Sequence, residues 1–354
     1  MARAFQIQSK TTGILLVVNA ILLGAIMLVA FNDPFSDDVP ADLNVEEYGL
    51  QTELARLADP DHTTANGSNA AAQAVETGHP CIIALERSAR LSVNMYGSSS
   101  LVAPKCTVHS HSKSPFGVNL ENVDRLNVAA VYSGGSAGRA YDSLGLQMIV
   151  DSSETFDPFA GVETPQGDQC DHRDLILKTG SHLLQPGVYC GGIVSLTSKE
   201  ITLAPGVYII KNGPLAIGGK ATFSGNGVSL IFDGPNAVFS FGVATKLALT
   251  APLTGPLAGI IFFENPNSPK NREFVVRSHD AGLLEGAIYL PRGKFVVDSY
   301  GQVGHSAKWS AIVANQIEII NGASLHINSD HAGSDVPRPT YLSDHRDLTL
   351  ASAD

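Results

Sequence analysis

The sequence predicts an all-β protein, a right-handed parallel β-helix (solenoid) over residues 80–332, preceded by a single N-terminal transmembrane helix and a short helical stalk. Three observations support this prediction. After Pro80, short runs of Val, Ile, Leu and Phe end at glycine, asparagine or proline, which is typical of strands joined by turns. A Pro-Gly-Val-Tyr motif occurs twice in this region. Near the N-terminus, a long uncharged segment predicts insertion into a membrane.

Composition limits the classes of protein that this chain can represent. Of 354 residues, 44% are hydrophobic and 16% are charged, which is typical of a folded protein. The 34 glycines and 19 prolines fall below the share expected of a disordered chain. The formal net charge of −11 would repel phosphate backbones, so we expect no nucleic-acid partner.

The N-terminal region has the pattern of a membrane anchor. Residues 1–12 form the predicted cytoplasmic start, and residues 13–31 form the predicted transmembrane anchor because they contain no charged side chain. Arg3 and Lys10 precede the span and aspartates follow it, which favours a cytoplasmic N-terminus. We therefore predict a single-pass protein of the bacterial cytoplasmic (inner) membrane with its C-terminal region in the periplasm. A cleaved signal peptide remains the alternative.

The segments that flank the predicted solenoid are less regular. Residues 32–79 are predicted to form a linker and a short helical stalk, since an acidic stretch with prolines precedes leucines at helical spacing. Residues 333–354 lose the strand pattern and carry Pro337 and Pro339. They are predicted to form a C-terminal cap or tail.

The Pro-Gly-Val-Tyr motif predicts the corners of the solenoid. It places Pro186 before Gly187, and Pro205 before Gly206. Proline then glycine suits a type II turn, in which the glycine needs a positive φ. Coils stacked at about 4.8 Å would pair such strands in parallel around a shared apolar core. A β-sandwich, which also contains short strands, is the alternative architecture.

Four cysteines, at positions 81, 106, 170 and 190, suit an exported domain, because disulfides persist in oxidising compartments. They allow three connectivities. We favour pairing neighbours in sequence, Cys81 with Cys106 and Cys170 with Cys190, which closes two short loops worth about 3 kcal/mol each. Free buried thiols are the alternative.

Candidate sites for chemistry are sparse. Hydrolysis of a glycoside requires two carboxylates that face one sugar, and the predicted strands show no repeated acidic cluster. Aspartates that lie beside histidines are the nearest candidates, but turn aspartates explain them better. The candidates are Asp171 and Asp174 around His172, Asp280 beside His279, Asp298, and Asp330 beside His331.

Two further patterns bear on metal binding. Cys106, His109 and His111 could ligate zinc, but no second ligand pair occurs at a suitable spacing. Asp151–Thr155 is similar to a metal-dependent adhesion motif, although that fold needs helices between its strands. We therefore expect no metal, no cofactor and no catalytic residue. The aromatic side chains of the strands are expected to fill the core rather than to form a sugar-stacking surface.

The strand region resembles the exported region of TadG-like proteins, which are associated with assembly of Flp (tight adherence) pili in bacteria. The resemblance covers about residues 80–325 and rests on the order of several segments. These are Pro80–Leu85, Cys106–His109, Asp157–Phe159, Pro186–Gly192, Leu203–Ile210, Leu249–Pro252, Gly259–Phe263 and Leu284–Pro291. It implies disulfides near the start of the predicted solenoid.

Together, the residues and the resemblance predict a membrane-anchored, non-catalytic periplasmic component of pilus assembly or envelope adhesion. Its expected partners are pilus assembly or envelope proteins and the cytoplasmic membrane, with polysaccharide as a further candidate. The alternative is a membrane-tethered polysaccharide lyase or glycoside hydrolase, which would need charged side chains gathered in a groove.

Overall fold

The computed structural model describes residues 78–136 and 146–339. The predicted cytoplasmic start, transmembrane anchor and helical stalk lie outside these residues, as do residues 340–354. The described part is built from strands and a 3₁₀ turn at His331–Gly333. The strands are β1 (His79–Ala84), β2 (Val93–Tyr96), β3 (Ser100–Ser110), β4 (Val118–Glu121), β5 (Arg125–Ser133), β6 (Met148–Ile149), β7 (His172–Leu177), β8 (Ser181–Leu184), β9 (Gly187–Ser195), β10 (Glu200–Leu203), β11 (Gly206–Lys211), β12 (Leu215–Ile217), β13 (Thr222–Gly225), β14 (Val228–Asp233), β15 (Phe239–Phe241), β16 (Lys246–Thr250), β17 (Ile260–Glu264), β18 (Glu273–Val276), β19 (Asp280–Asp298), β20 (Gln302–Val303), β21 (Ser310–Ile320) and β22 (Ser324–His326).

Parallel pairing closes part of this sheet on itself. Strand β9 pairs with β11, β11 with β14, β14 with β17 and β17 with β19. From β19 the pairing continues through β18, β15 and β12 and returns to β9. Eight parallel strands thus form a closed ring. The predicted right-handed parallel β-helix (solenoid) is therefore wrong, although the all-β composition and the parallel pairing agree with the structure.

The ring closes because two long strands, β9 and β19, each bend at a corner and pair with a different strand on either side of the bend. In β9, residues Gly187–Cys190 pair with β11, whereas residues Ile193–Ser195 pair with β12. The bend between these stretches falls at Gly191 and Gly192, whose φ angles of +76° and +88° favour glycine. The sequence pattern predicts that glycine ends a strand. Here the glycines bend a continuous one.

The membrane topology and the localisation also need correction. Within residues 78–136 and 146–339, the structure contains no helix that is long and apolar enough to cross a membrane. The predicted span at residues 13–31 lies outside this part of the chain. The structure thus does not support the prediction of a single-pass inner-membrane protein with a periplasmic C-terminal region.

The repeated Pro-Gly-Val-Tyr motif has a structural role that differs from the prediction. Gly187 and Gly206 have φ angles of +156° and +141°. These are positive but far from the roughly 80° of a type II turn. Each tyrosine hydroxyl donates to the backbone carbonyl four residues upstream: Tyr189 to Gln185 at 2.5 Å and Tyr208 to Ala204 at 2.7 Å. The motif therefore fastens each corner through its buried tyrosine.

The core is apolar and rich in aromatic rings. Phe239 lies at the centre of a phenylalanine cluster, with ring centroids 4.6 Å from Phe262 and 5.1 Å from Phe274. The strand aromatics considered for sugar stacking are inside this core, each no more than 1% exposed. They are Tyr189, Tyr208, Phe223, Phe232, Phe239, Phe262 and Tyr289.

A buried ion pair lies beside this core. Glu264 is fully buried and receives a hydrogen bond from the guanidinium of Arg272. The other carboxylate oxygen of Glu264 accepts from the backbone N–H groups of Arg292 and Gly293, both at 2.8 Å. A buried charge is tolerated when it is paired and hydrogen-bonded, and this one is both.

Strands from the start of the described region pair with strands from its end. Ile82 of β1 lies opposite Ile312 of β21, and Leu101 of β3 lies opposite Leu325 of β22. The side chain of Asn94 donates to Glu318 at 2.9 Å across 224 residues. The sheet order therefore differs from the sequence order.

A long connection, which we call the β6–β7 segment (residues 150–171), is anchored to the sheet at several points. Phe159 is fully buried, with its ring centroid 5.1 Å from that of Tyr289. Lys211 donates to the carbonyl of Gly167 at 2.8 Å. These contacts fix the segment as one wall of the cleft described below.

Candidate functional site

The aspartates considered for catalysis are occupied in separate structural contacts. Asp171 accepts a hydrogen bond from the backbone N–H of Val188 at 2.8 Å. Asp280 pairs with Lys246 at 3.0 Å on the surface. The structure does not bring these two carboxylates together in a cleft.

Two of the remaining aspartates, Asp298 and Asp330, also have hydrogen-bond partners. Asp298 accepts from Arg277 at 3.2 Å and from Asn321 at 2.7 Å. Asp330 accepts from the N–H of Ala332 and caps the short 3₁₀ turn. Asp174 has a φ of +47°, a conformation that aspartate tolerates in turns.

The cysteines form two disulfides, Cys81–Cys106 and Cys170–Cys190. This is the connectivity that pairs neighbours in sequence. Cys106 therefore cannot supply a thiolate to a zinc site with His109 and His111. Among the described residues, no group of three or more His, Cys, Asp or Glu side chains is arranged to hold a metal ion.

A polar cleft of about 510 Å³ lies where the β6–β7 segment meets the ends of several strands. The β6–β7 segment forms one wall of this cleft, which we call the strap cleft. The loop after β1 and the end of β3 contribute further lining residues, as do the β17–β18 loop, β19 and β21. The residues are Leu85, Glu86, Arg87, His111, Glu154, Thr155, Phe156, Asp157, Lys270, Pro291, Arg292 and Asn315.

Most charged groups of the strap cleft have a partner of opposite charge. Arg87 contacts Glu154 at 2.9 Å, and Lys270 contacts Glu86 at 3.5 Å. Burial acts to raise the pKa of Glu86, but hydrogen bonds from Ser88 and the charge of Lys270 hold it below its usual range. Glu86 is therefore ionised at neutral pH.

Asp157 lies in a more buried position on the same wall. Its Oδ1 accepts from the N–H of Phe159, and its Oδ2 accepts from the hydroxyl of Tyr289, each at 3.0 Å. Burial raises the pKa of Asp157, although both hydrogen bonds act to lower it. Oδ2 thus holds the β6–β7 segment against β19, whereas the Oδ1 contact is made within the segment itself.

His111 lies in the cleft with unused hydrogen-bonding capacity. The residue is only 5% exposed, and its Nε2 has no hydrogen-bond partner among the described residues. Burial lowers the pKa of His111, assisted by Arg87 and Lys113 and opposed by Glu154 and Asp157, so the imidazole is neutral. A buried ring nitrogen without a partner is costly and indicates a place for a ligand or a water.

Asn315 lies beside His111 in the lining. It is 3% exposed, and its side chain is near enough to Glu86 to help lower the pKa of that carboxyl. Its Nδ2 makes no well-formed hydrogen bond with the described residues. His111 therefore offers an unpaired ring nitrogen at the cleft, and the Asn315 amide keeps a hydrogen for a ligand, since its contact with Glu86 can use only one of the two. The sequence identified His111 only as a candidate zinc ligand, and it did not indicate Asn315, which comes from a distant strand.

A second cavity, of about 650 Å³, lies on another part of the surface. It is lined by Pro205, Gly206, Asn226, Gly227, Thr250, Pro252, Leu253, Thr254, Glu285, Lys308, Asp335 and Val336. The carboxylate of Glu285 in its lining accepts from Ser334. No unpartnered buried side-chain nitrogen or oxygen among the described residues lines this cavity, so the strap cleft is the stronger candidate.

The fold and the site define a disulfide-stapled, all-β protein with a closed parallel sheet and a polar cleft. Comparison with family models, with curated proteins and with solved structures finds no match. The resemblance to TadG-like proteins therefore stays a prediction. No match supports the predicted roles in pilus assembly and cell adhesion.

Proposed function

We propose that this protein is a non-catalytic binding protein and that the strap cleft is its ligand site. The observation that carries the proposal is the neutral, buried imidazole of His111, whose Nε2 lacks a partner in a cleft of ligand size. A ligand that hydrogen-bonds there would satisfy a polar atom that the protein leaves unpaired.

A non-catalytic role is supported by how the carboxylates of the cleft are used. Glu86 and Glu154 are paired with cations, and both oxygens of Asp157 accept hydrogen bonds. A glycosidase needs one carboxylic acid and one carboxylate directed at the same sugar. Carboxylates engaged in internal contacts are better suited to shaping a site than to proton transfer.

The test measures binding and turnover on the same preparation of the full chain. Purified protein is run through gels that contain neutral or acidic polysaccharides, and the same mixtures are assayed for reducing ends and for unsaturated uronates. We expect retardation on at least one polysaccharide and no release of sugar. Sugar release that is abolished by Asp157→Asn or Glu86→Gln would overturn the non-catalytic proposal.

A further inference from the structure

The balance of charge in the strap cleft bears on what it can bind. Three cationic side chains line it, Arg87, Lys270 and Arg292, together with three carboxylates, Glu86, Glu154 and Asp157. Two of the cations are already paired with carboxylates. A charged ligand of either sign would meet repulsion as well as attraction and would have to displace an internal partner. The cleft therefore favours a neutral ligand.

The unused polar atoms favour hydroxyl groups. A neutral imidazole presents one donor and one acceptor nitrogen, and a side-chain amide nitrogen donates two hydrogens. A hydroxyl can donate or accept, so it can satisfy His111 Nε2 in either tautomer, and a neighbouring hydroxyl can accept the Asn315 Nδ2 hydrogen that is not directed at Glu86. A ligand with several neighbouring hydroxyls fits both.

An aromatic ring in the lining favours a ligand that also has an apolar face. Phe156 lies on the β6–β7 segment, lines the cleft and is 50% exposed. The C–H face of a sugar ring can pack on such a ring while its hydroxyls reach polar groups nearby. Alternating apolar and hydroxylated surfaces are a property of pyranose rings.

We propose that the strap cleft binds a neutral carbohydrate, with His111 and Asn315 recognising hydroxyls and Phe156 packing on the ring face. This inference rests on the proposed function, since it names the ligand class of the same site. It assigns the β6–β7 segment the role of holding Phe156 and Asp157 against the cleft.

The test compares neutral with acidic oligosaccharides in calorimetric titrations of the full chain. The neutral probes are oligosaccharides of glucose and of N-acetylglucosamine, and the acidic probe is an oligogalacturonide. Phe156→Ala should weaken binding of a neutral probe about tenfold. Phe116→Ala is the matched control, since Phe116 is 49% exposed and packs under Arg90 outside the cleft. It should leave affinity unchanged.

A second variant guards against effects on folding. His111→Gln keeps a polar side chain near the unpaired position, so thermal unfolding can be checked before its affinity is read. We expect a several-fold loss of affinity for the neutral probe with the melting temperature retained.

The outcomes separate this inference from the proposed function. Preference for oligogalacturonide, or equal loss of affinity in Phe156→Ala and Phe116→Ala, would overturn the neutral-carbohydrate assignment and leave a non-catalytic binding protein. No heat with any probe would also overturn the assignment, since the buried polar atoms would then be satisfied by water alone. Cleavage of a probe would overturn the proposed function itself.

Discussion

The hydroxyl of Tyr289 donates to Oδ2 of Asp157 at 3.0 Å and joins two positions that are 132 residues apart in the chain. Tyr289 belongs to β19, at the junction of the closed ring, whereas Asp157 belongs to the β6–β7 segment. Because Asp157 also lines the strap cleft, this hydrogen bond couples the wall of the cleft to the sheet.

Tyr289→Phe should weaken the attachment of the β6–β7 segment to β19. The variant removes the donor and leaves a buried carboxylate oxygen without a partner, so we expect a loss of about 1–3 kcal/mol in the free energy of unfolding. Limited proteolysis should cut within residues 150–171 sooner than in the wild type. Tyr300→Phe is the control, since Tyr300 is 80% exposed and should behave like the wild type. Equal protease resistance in both variants would contradict the coupling.

Glu264→Gln should be strongly destabilising. It removes the charge that compensates the buried guanidinium of Arg272, and breaking a buried pair from one side costs about 3–5 kcal/mol. Urea unfolding should show a lower midpoint with an unchanged slope. Glu273→Gln removes a surface partner of Lys294 and should change stability by less than about 1 kcal/mol. Equal midpoints for the two variants would show that the buried pair contributes little.

The free energy of unfolding should fall as the pH decreases from about 6.5 to about 4, because His109 takes up a proton later in the folded chain than in the unfolded one. Burial, together with the charge of His111, lowers the pKa of His109 to about 4, and its ring stacks on Tyr132 at 4.6 Å. The unfolded imidazole takes up a proton below about pH 6.5, but the folded one does not until about pH 4, so acid favours the unfolded chain. The loss across this window is at most about 3 kcal/mol.

His109→Phe is the variant that tests the origin of this pH dependence. It keeps an aromatic ring against Tyr132 and removes the titrating group. Chemical unfolding at several pH values should give a shallower slope than for the wild type. A residual slope is expected because burial also lowers the pKa of His111, His326 and His331. An unchanged slope would assign the effect to those histidines instead.

Removal of either disulfide should lower stability by a similar amount. The bridged cysteines are 25 and 20 residues apart, and loops of this length contribute about 3 kcal/mol each on the chain-entropy model. Paired serine variants of Cys170 and Cys190 should lose about that amount in urea unfolding. Paired alanine variants of Cys81 and Cys106, which are 5% and 0% exposed, test the other bridge. A reducing agent should affect the wild type and not a chain that lacks all four cysteines.

Local features of the fold could be predicted from the sequence because they depend on short stretches of chain. The alternation of apolar residues and turn residues predicts strands such as Val228–Asp233, and β-branched residues favour them. The Pro-Gly motif predicts a positive φ at each glycine, and both glycines have one, although neither has the φ of a type II turn. Cys81 and Cys106 lie on the paired strands β1 and β3, and Cys170 lies just before β7, which pairs with the β9 strand that carries Cys190.

The closure of the sheet could not be predicted, because it depends on what happens at single glycines inside strands. Gly191 and Gly192 resemble the end of a strand in sequence, yet their neighbours continue the pairing on both sides. The strap cleft was missed for a similar reason. His111 and Asn315 indicate a site only when they lie together, and no sequence spacing connects the residue after β3 with the middle of β21.

The pairing of β1, β2 and β3 with β21 and β22 has a consequence for how the chain is made. The ribosome synthesises His79–Ser110 long before Ser310–His326. Until then, the backbone groups of β1, β2 and β3 that pair with β21 and β22 have no partner strand. Contacts of such long sequence separation slow folding and expose the nascent chain to aggregation. The first strands therefore cannot complete their pairing until the last strands have been synthesised.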